Sequence, residues 1–199
     1  LGRVRPDSQL CAEKVPRCDF ILVTHSHYDH LMDVPAVLRN TGAVALGSLN
    51  TCRLLAASGV PQEQIRLIAA GDSLTLGDSQ VEVLPAEHGK IPLGRLFNGP
   101  LSSDLRPPLR AWDYRMDSCL GFLIQVGGRR VLVGAAEYPK RAVATDALFA
   151  GVFYSRACYR SLLRRARPRV VVPIHWDDMF RLLSKPIRPM LQPPAWTLP

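Results

Sequence analysis

The segment His25-Ser26-His27-Tyr28-Asp29-His30 gathers three imidazoles and a carboxylate into six residues. In extended backbone, residues two apart project to the same side, so His25 and His27 can offer two ring nitrogens to one metal ion. Where the chain then turns, the adjacent Asp29 and His30 can be directed to a second position close by. Imidazole with carboxylate suits zinc, and also manganese or iron. The remaining histidines, His88 and His175, each stand just beyond an apolar run, Val81-Glu82-Val83-Leu84 and Val170-Val171-Val172-Pro173-Ile174. Residues that do chemistry collect at strand ends in layered sheets, so these two are candidate ligands as well. An ion held by neutral imidazoles lowers the pKa of bound water to about 7, which makes hydroxide available at neutral pH. Asp29 is placed to orient that water and accept its proton, as ligand or as base. No G-x-S-x-G elbow is present, and no cysteine is paired with a spare histidine, so no protein nucleophile is expected.

The elements that must position these residues can be read from periodicity and punctuation. Residues 20–24 form a short apolar run that predicts a buried strand ending at the histidine cluster. Asp33, Pro35 and Asn40-Thr41-Gly42 mark the start and stop of a helix, residues 43–46 a second strand, and residues 50–58 a second helix closed by Gly59 and Pro61. This βαβ order points to a layered α/β protein. Residues 65–68, 73–76 and 80–84, separated by Gly71-Asp72 and Gly77-Asp78, read as consecutive antiparallel strands. Residues 120–126 and 129–133 around Gly127-Gly128 predict a hairpin. A strand over 148–154, an arginine-rich helix over 160–169 with Leu162, Leu163 and Ala166 inward, and a strand over 169–174 repeat the β-α-β order. Two halves of similar character suit a two-sheet sandwich with helices outside.

Residues 89–117 hold four prolines and little periodicity, which predicts a long loop or lid. Such a loop would select substrate. Arg95, Arg106, Arg110 and Arg115 can grip a phosphate or carboxylate, and Phe97, Trp112 and Tyr114 can form an apolar wall, with Arg110, Trp112 and Tyr114 the leading substrate contacts. The plainer alternatives are solvated arginines and aromatics that pin the loop to the body. Asp177 and Asp178 either orient a ligand histidine or cap a following helix.

A chain of 199 residues fits a single domain over 1–199, and 47% hydrophobic with 21% charged residues describes an ordinary soluble protein. No apolar run is long enough to span a bilayer. Cys11, Cys18, Cys52, Cys119 and Cys158 are odd in number, scattered and without a C-x-x-C pair, as expected of free thiols in a reducing, cytoplasmic setting. The net charge of +8 invites a nucleic-acid partner. The dense basic run has the spacing of a solvated helix face, however, and a small anionic substrate serves the charge equally well, so nucleic acid is not the expected partner. The chain opens on Leu with no secretory pattern, which suggests that its natural start lies further upstream.

The motif, its order and its spacing resemble the metallo-β-lactamase superfamily from about Cys18 to Phe180. The resemblance implies an α/β (α+β) fold, a four-layer αββα sandwich whose N-terminal strands are missing or reduced here. It implies that His25, His27 and His88 hold a first metal and Asp29, His30 and His175 a second. The implied cofactor is one or two zinc ions, with Mn2+ or Fe2+ as substitutes, and the implied activity is hydrolysis of a small ester, lactone or phosphodiester by zinc-activated hydroxide. The ending Pro173-Ile174-His175-Trp176-Asp177 resembles the branch that includes L-ascorbate 6-phosphate lactonase and N-acylphosphatidylethanolamine phospholipase D-like proteins. The chain departs from the family where a bridging aspartate follows a glycine, for Gly134 is followed by Ala135. Glu137, two residues on, projects to the same side and is either a replacement or a plain surface glutamate; without a bridging carboxylate the second position should be the weaker. The competing classes are a mononuclear iron oxygenase of the same fold, a nuclease of structured RNA, and a degenerate metal-binding module without turnover.

Overall fold

A computed structural model of the chain describes residues 2–88, 97–134, 143–152, 155–177 and 186–189. The chain divides into two units, Leu1–Asp72 with Ile91–Leu120, and Ser73–Lys90 with Gly121–Pro199.

In the first unit the elements run α1 (Ser8–Lys14), β1 (Phe20–Leu22), α2 (Tyr28–Leu31), α3 (Val34–Thr41), β2 (Val44–Gly47), α4 (Leu49–Ala57) and β3 (Ile65–Leu67). Helices α3 and α4 fall between successive strands, and a helical crossover returns the chain in the same direction. The sheet β1-β2-β3 is accordingly parallel, with Ile21 opposite Ala45 and Ala45 opposite Ile65. This corrects the expectation that residues 65–68 open the antiparallel run, since the crossover through α4 commits Ile65–Leu67 to the parallel sheet. Helix α3 has the predicted punctuation: Asp33 at its N-cap, a proline in its first turn, and Gly42 in the left-handed region at φ 73°. Helix α1 was not foreseen; the Leu10 amide donates to the Asp7 carboxylate at 3.0 Å to cap it. Val23, Leu31, Leu38, Ala45, Leu54, Leu55 and Tyr114 form the core of this unit.

Strand β2 meets α4 closely, since a Cβ placed on Gly47 would lie 2.5 Å from Cγ2 of Thr51. Thr51 is fully buried and cannot give way. Gly47→Ala is therefore expected to lower unfolding free energy by about 1–3 kcal/mol, the usual cost of overpacking, as measured by urea denaturation.

The second unit carries β4 (Ser73–Leu76), β5 (Ser79–Pro85), β6 (Leu120–Val126), β7 (Arg129–Val133), β8 (Ala147–Gly151), α5 (Arg156–Ala166) and β9 (Val170–Ile174) in a six-stranded sheet of order β4-β5-β6-β7-β8-β9. The pairs β4–β5 and β6–β7 are antiparallel, while β7–β8 and β8–β9 are parallel. Gly127 and Gly128 both take positive φ, 54° and 72°, as the predicted hairpin turn requires. Helix α5 starts at Ser155, whose hydroxyl accepts from the Cys158 amide, and buries Tyr159, Leu162 and Ala166 against Leu84, Leu132, Leu148 and Ala150. Leu163, expected inward, is 37% exposed. The i, i+3, i+7 face belongs to Tyr159, Leu162 and Ala166, and Leu163 lies one step around the helix from it.

Asp146 ties three strands together at one end of this sheet. Its carboxylate accepts from the Arg130 amide at 2.9 Å and from Arg129 Nη1 at 3.1 Å, and its carbonyl accepts from the Val170 amide at 3.0 Å. The Arg130 amide first, and then the Arg129 guanidinium, hold the carboxyl below the usual carboxylate range. A depressed folded-state pKa stabilises the fold above the unfolded value of about 3.9, and that contribution is lost as pH falls through the folded one. Asp146→Asn should lower the melting temperature modestly at pH 7. The gap from wild type should close below about pH 4 in pH-dependent thermal scans.

Candidate metal centre

The histidine cluster sits where β1 ends. The Val23 amide donates to the Leu46 carbonyl at 2.9 Å, which carries the parallel pairing one residue past the strand, and the Thr24 carbonyl accepts from the Leu120 amide at 2.7 Å. His27 remains extended at φ −66° and ψ 155°, then becomes the N-cap of α2, with the amides of His30 and Leu31 donating to its carbonyl. His25 and His27 thus lie on the extended stretch, while Asp29 and His30 lie in the helical turn. Their ligand atoms approach closely: those of His25 and His27 are within 4.8 Å of each other, as are those of Asp29 and His30. The rings of His25 and His27 meet edge to face at 4.7 Å between centroids, and those of His25 and His30 at 3.9 Å. His25 and His27 are buried, His30 is half-buried and Asp29 is exposed.

The surrounding polar groups fix these rings. Nε2–H of His27 donates to the Phe97 carbonyl at 3.1 Å, which leaves Nδ1 as the nitrogen with a lone pair to offer. The Thr24 hydroxyl lies 3.1 Å from Nδ1 of His25 and 3.5 Å from Nδ1 of His30. Ser26, fully buried, donates its hydroxyl to the Arg115 carbonyl at 2.7 Å. Asn50 donates its amide to the same carbonyl at 2.8 Å and to the Gly99 carbonyl at 3.0 Å. Asp117 accepts from the Ser48 hydroxyl at 2.6 Å and from the Asn50 amide nitrogen of the backbone at 3.0 Å, at the start of α4, where the helix dipole favours a carboxylate.

Of the predicted loop over 89–117, residues 89–96, with Arg95, lie outside the described residues. The rest is stitched to the first unit by the contacts of Phe97, Gly99, Arg115 and Asp117. Arg110 lies over the Trp112 ring at 5.3 Å, both residues being exposed. Tyr114 is spent in the core of the unit, where burial foremost, then Asp33 and Asp113, pushes its phenol up to about 12. Arg106 pairs with Asp104 on the surface.

In the second unit His88 follows β5 and His175 follows β9, each at the carboxyl end of a strand. His175 holds φ 59°, a left-handed conformation that residues with a Cβ rarely adopt. Asp177 forms an isolated bridge with Pro189. Ala135, Glu137 and Asp178 lie outside the described residues. The five cysteines form no disulfide with one another. Burial pushes the Cys119 thiol up to about 11 and raises those of Cys11, Cys18 and Cys52.

Sequence reasoning missed Thr24, Ser26, Asn50 and Asp117. The signal available for Ser26 was its place between two candidate ligands; Asn50 and Asp117 carried none, because the groups they bond in common with this turn, backbone carbonyls and amides and the Ser48 hydroxyl, lie about fifty or more residues away in the chain. Asn50→Ala removes the donor that serves two loop carbonyls. A loss of about 1–3 kcal/mol in denaturant unfolding is expected, with faster limited proteolysis within residues 97–117.

A histidine-rich turn at the carboxyl end of a parallel strand, inside a mixed α/β architecture, defines a class of metal-binding α/β proteins. Residues 3–136 match the family model described as beta-lactamase superfamily domain, and the chain belongs to the metallo-β-lactamase superfamily. It is 35% identical over 191 residues to a protein of Anaeromyxobacter sp. (strain K) named UPF0173 metal-dependent hydrolase, covering 88% of this chain and 65% of that one. The chain thus spans somewhat less than two thirds of that relative's length. Among solved structures it resembles Igni18, a metallo hydrolase from Ignicoccus hospitalis, with TM-score 0.54 and 19% identity over 79% of this chain and 64% of that one. It also resembles CmlA, a diiron β-hydroxylase from Streptomyces venezuelae, with TM-score 0.54 and 19% identity over 79% of this chain and 35% of that one. These likenesses show the fold.

Proposed function

We propose that the protein is a metal-dependent hydrolase of a small ester, lactone or phosphodiester, with zinc as the ion. The observation that carries the reading is the turn itself: His25 and His27 present ligand atoms within 4.8 Å of each other, as do Asp29 and His30. The donor chemistry fits a borderline cation, because neutral imidazoles joined by one carboxylate suit zinc and tolerate manganese or iron. His25, His27 and His88 would form one ligand set, and Asp29, His30 and His175 the other. Membership of the superfamily and the naming of the Anaeromyxobacter relative support the assignment.

When bound, such an ion brings the pKa of a coordinated water to about 7 and polarises the oxygen of the bond under attack. The chain supplies the rest. The Phe97 carbonyl keeps His27 in the Nε2–H tautomer, so that its Nδ1 is ready without rearrangement. Asp29, partly open to solvent beside His30 at 3.4 Å, is positioned to take up the proton of the attacking water. Residues 97–117, fastened to the same turn, are the part of the chain we assign to substrate selection, with the Arg110–Trp112 pair as its exposed cation and ring. Among the described residues no helix is long and apolar enough to cross a membrane. The free thiols suit a cytoplasmic setting.

Elemental analysis of the purified protein beside His27→Ala tests the reading. One or two zinc ions per chain, lost or strongly reduced in the variant, together with turnover of reporter esters or phosphodiesters, are expected. Iron in place of zinc would redirect the assignment to an oxygenase; no metal uptake even with zinc supplied would overturn it.

A further inference from the structure

Thr24 is the last residue before the histidine turn, and its hydroxyl faces one ring from each proposed ligand set: Nδ1 of His25 at 3.1 Å and Nδ1 of His30 at 3.5 Å. The two rings themselves lie 3.9 Å apart between centroids, tilted by 46°. An imidazole that gives Nε2 to a metal must carry its proton on Nδ1, and that N–H needs an acceptor. A hydroxyl oxygen has two lone pairs and can accept from both rings at once. The backbone of Thr24 is held independently, because its carbonyl accepts from the Leu120 amide at 2.7 Å and the preceding Val23 amide donates to Leu46. The hydroxyl is therefore delivered from a fixed point of the parallel sheet.

We propose that Thr24 is a positioning residue shared by the two metal positions: its hydroxyl accepts the Nδ1–H of His25 and of His30, sets both rings in the tautomer that presents Nε2, and couples the occupancy of one position to the other. The inference rests on the ligand sets proposed above. The shorter contact makes His25 the more firmly held ring, so loss of the hydroxyl acts more on the set containing His25 than on that containing His30. His27 is outside its reach, being fixed through the Phe97 carbonyl.

The test compares Thr24→Val, which keeps the shape and removes the hydroxyl, with Thr24→Ser, which keeps the hydroxyl. Zinc affinity is read by competition with a chromophoric chelator, and ring tautomers by imidazole 15N spectra of both the metal-free and the zinc-loaded protein. Thr24→Val should weaken zinc binding by about tenfold or more, within the range typical of groups that orient ligand histidines. It should also shift the spectra of His25 and His30 while leaving His27 unchanged. Thr24→Ser should restore both readouts. Similar circular-dichroism melting of the metal-free variants excludes a folding defect, and if Thr24→Val does not fold, the Thr24→Ser spectra and the wild-type Nδ1–H exchange rates decide. Wild-type zinc affinity in Thr24→Val, or unchanged His25 and His30 spectra, would overturn the proposal. A wild-type protein that takes up no zinc would instead fail the metal reading, and the metal-free spectra would still report whether Thr24 sets the two rings.

Discussion

The Arg115 carbonyl accepts from the Ser26 hydroxyl and from the Asn50 amide, and the arrangement of the first unit follows from that sharing. Ser26 lies between two candidate ligands and Asn50 in the first turn of α4, so one carbonyl joins the end of β1, the start of α4 and the segment that leads on to β6. Three rings and a carboxylate crowded into six residues gain little from packing on one another. Their geometry is imposed from outside, by backbone groups whose own positions are fixed by the parallel sheet and by Asp117 at the head of α4. Buried polar groups are costly unless satisfied, and here the bonds of Ser26 and Asn50 tie residues 97–117 to the turn, while the rings themselves meet the Phe97 carbonyl and the Thr24 hydroxyl.

The division of labour between ring nitrogens follows from this scaffold. His27 is oriented by a carbonyl at Nε2, whereas His25 and His30 meet a hydroxyl at Nδ1. Neighbouring histidines two residues apart therefore offer opposite nitrogens, which lets side chains rooted on one short stretch converge without their backbones having to do so. The side chains of Asp29 and His30 are both partly open to solvent, 23% and 20% exposed.

Much of this could be read from residue order alone. The H-x-H-x-D-H string identified the turn, Asp33 and Gly42 bounded α3, and Gly127-Gly128 gave the hairpin, because each depends on local chemistry. The direction of β3 did not follow from its own residues, since direction is set by the crossover before it. Leu163 was misplaced because a one-residue phase error moves a side chain off a helix face, and the two readings of Tyr114 could not be separated because an aromatic in a proline-rich segment gives no periodicity from which to infer burial. The Asn50 and Asp117 contacts were invisible because most of their partners are backbone carbonyls and amides, which carry no sequence identity, and all are distant in the chain. The fold class was legible because strand, turn and helix alternate with clear punctuation.

His175 takes φ 59° at the end of β9. For a residue bearing a Cβ that conformation costs roughly 1–2 kcal/mol, and glycine or asparagine would occupy it with less strain. Random substitution followed by selection for thermal endurance alone would drift this position toward glycine. On the ligand set proposed above, stability and the imidazole would pull in opposite directions at this residue, so stabilised descendants of this chain should be inspected first there for loss of function.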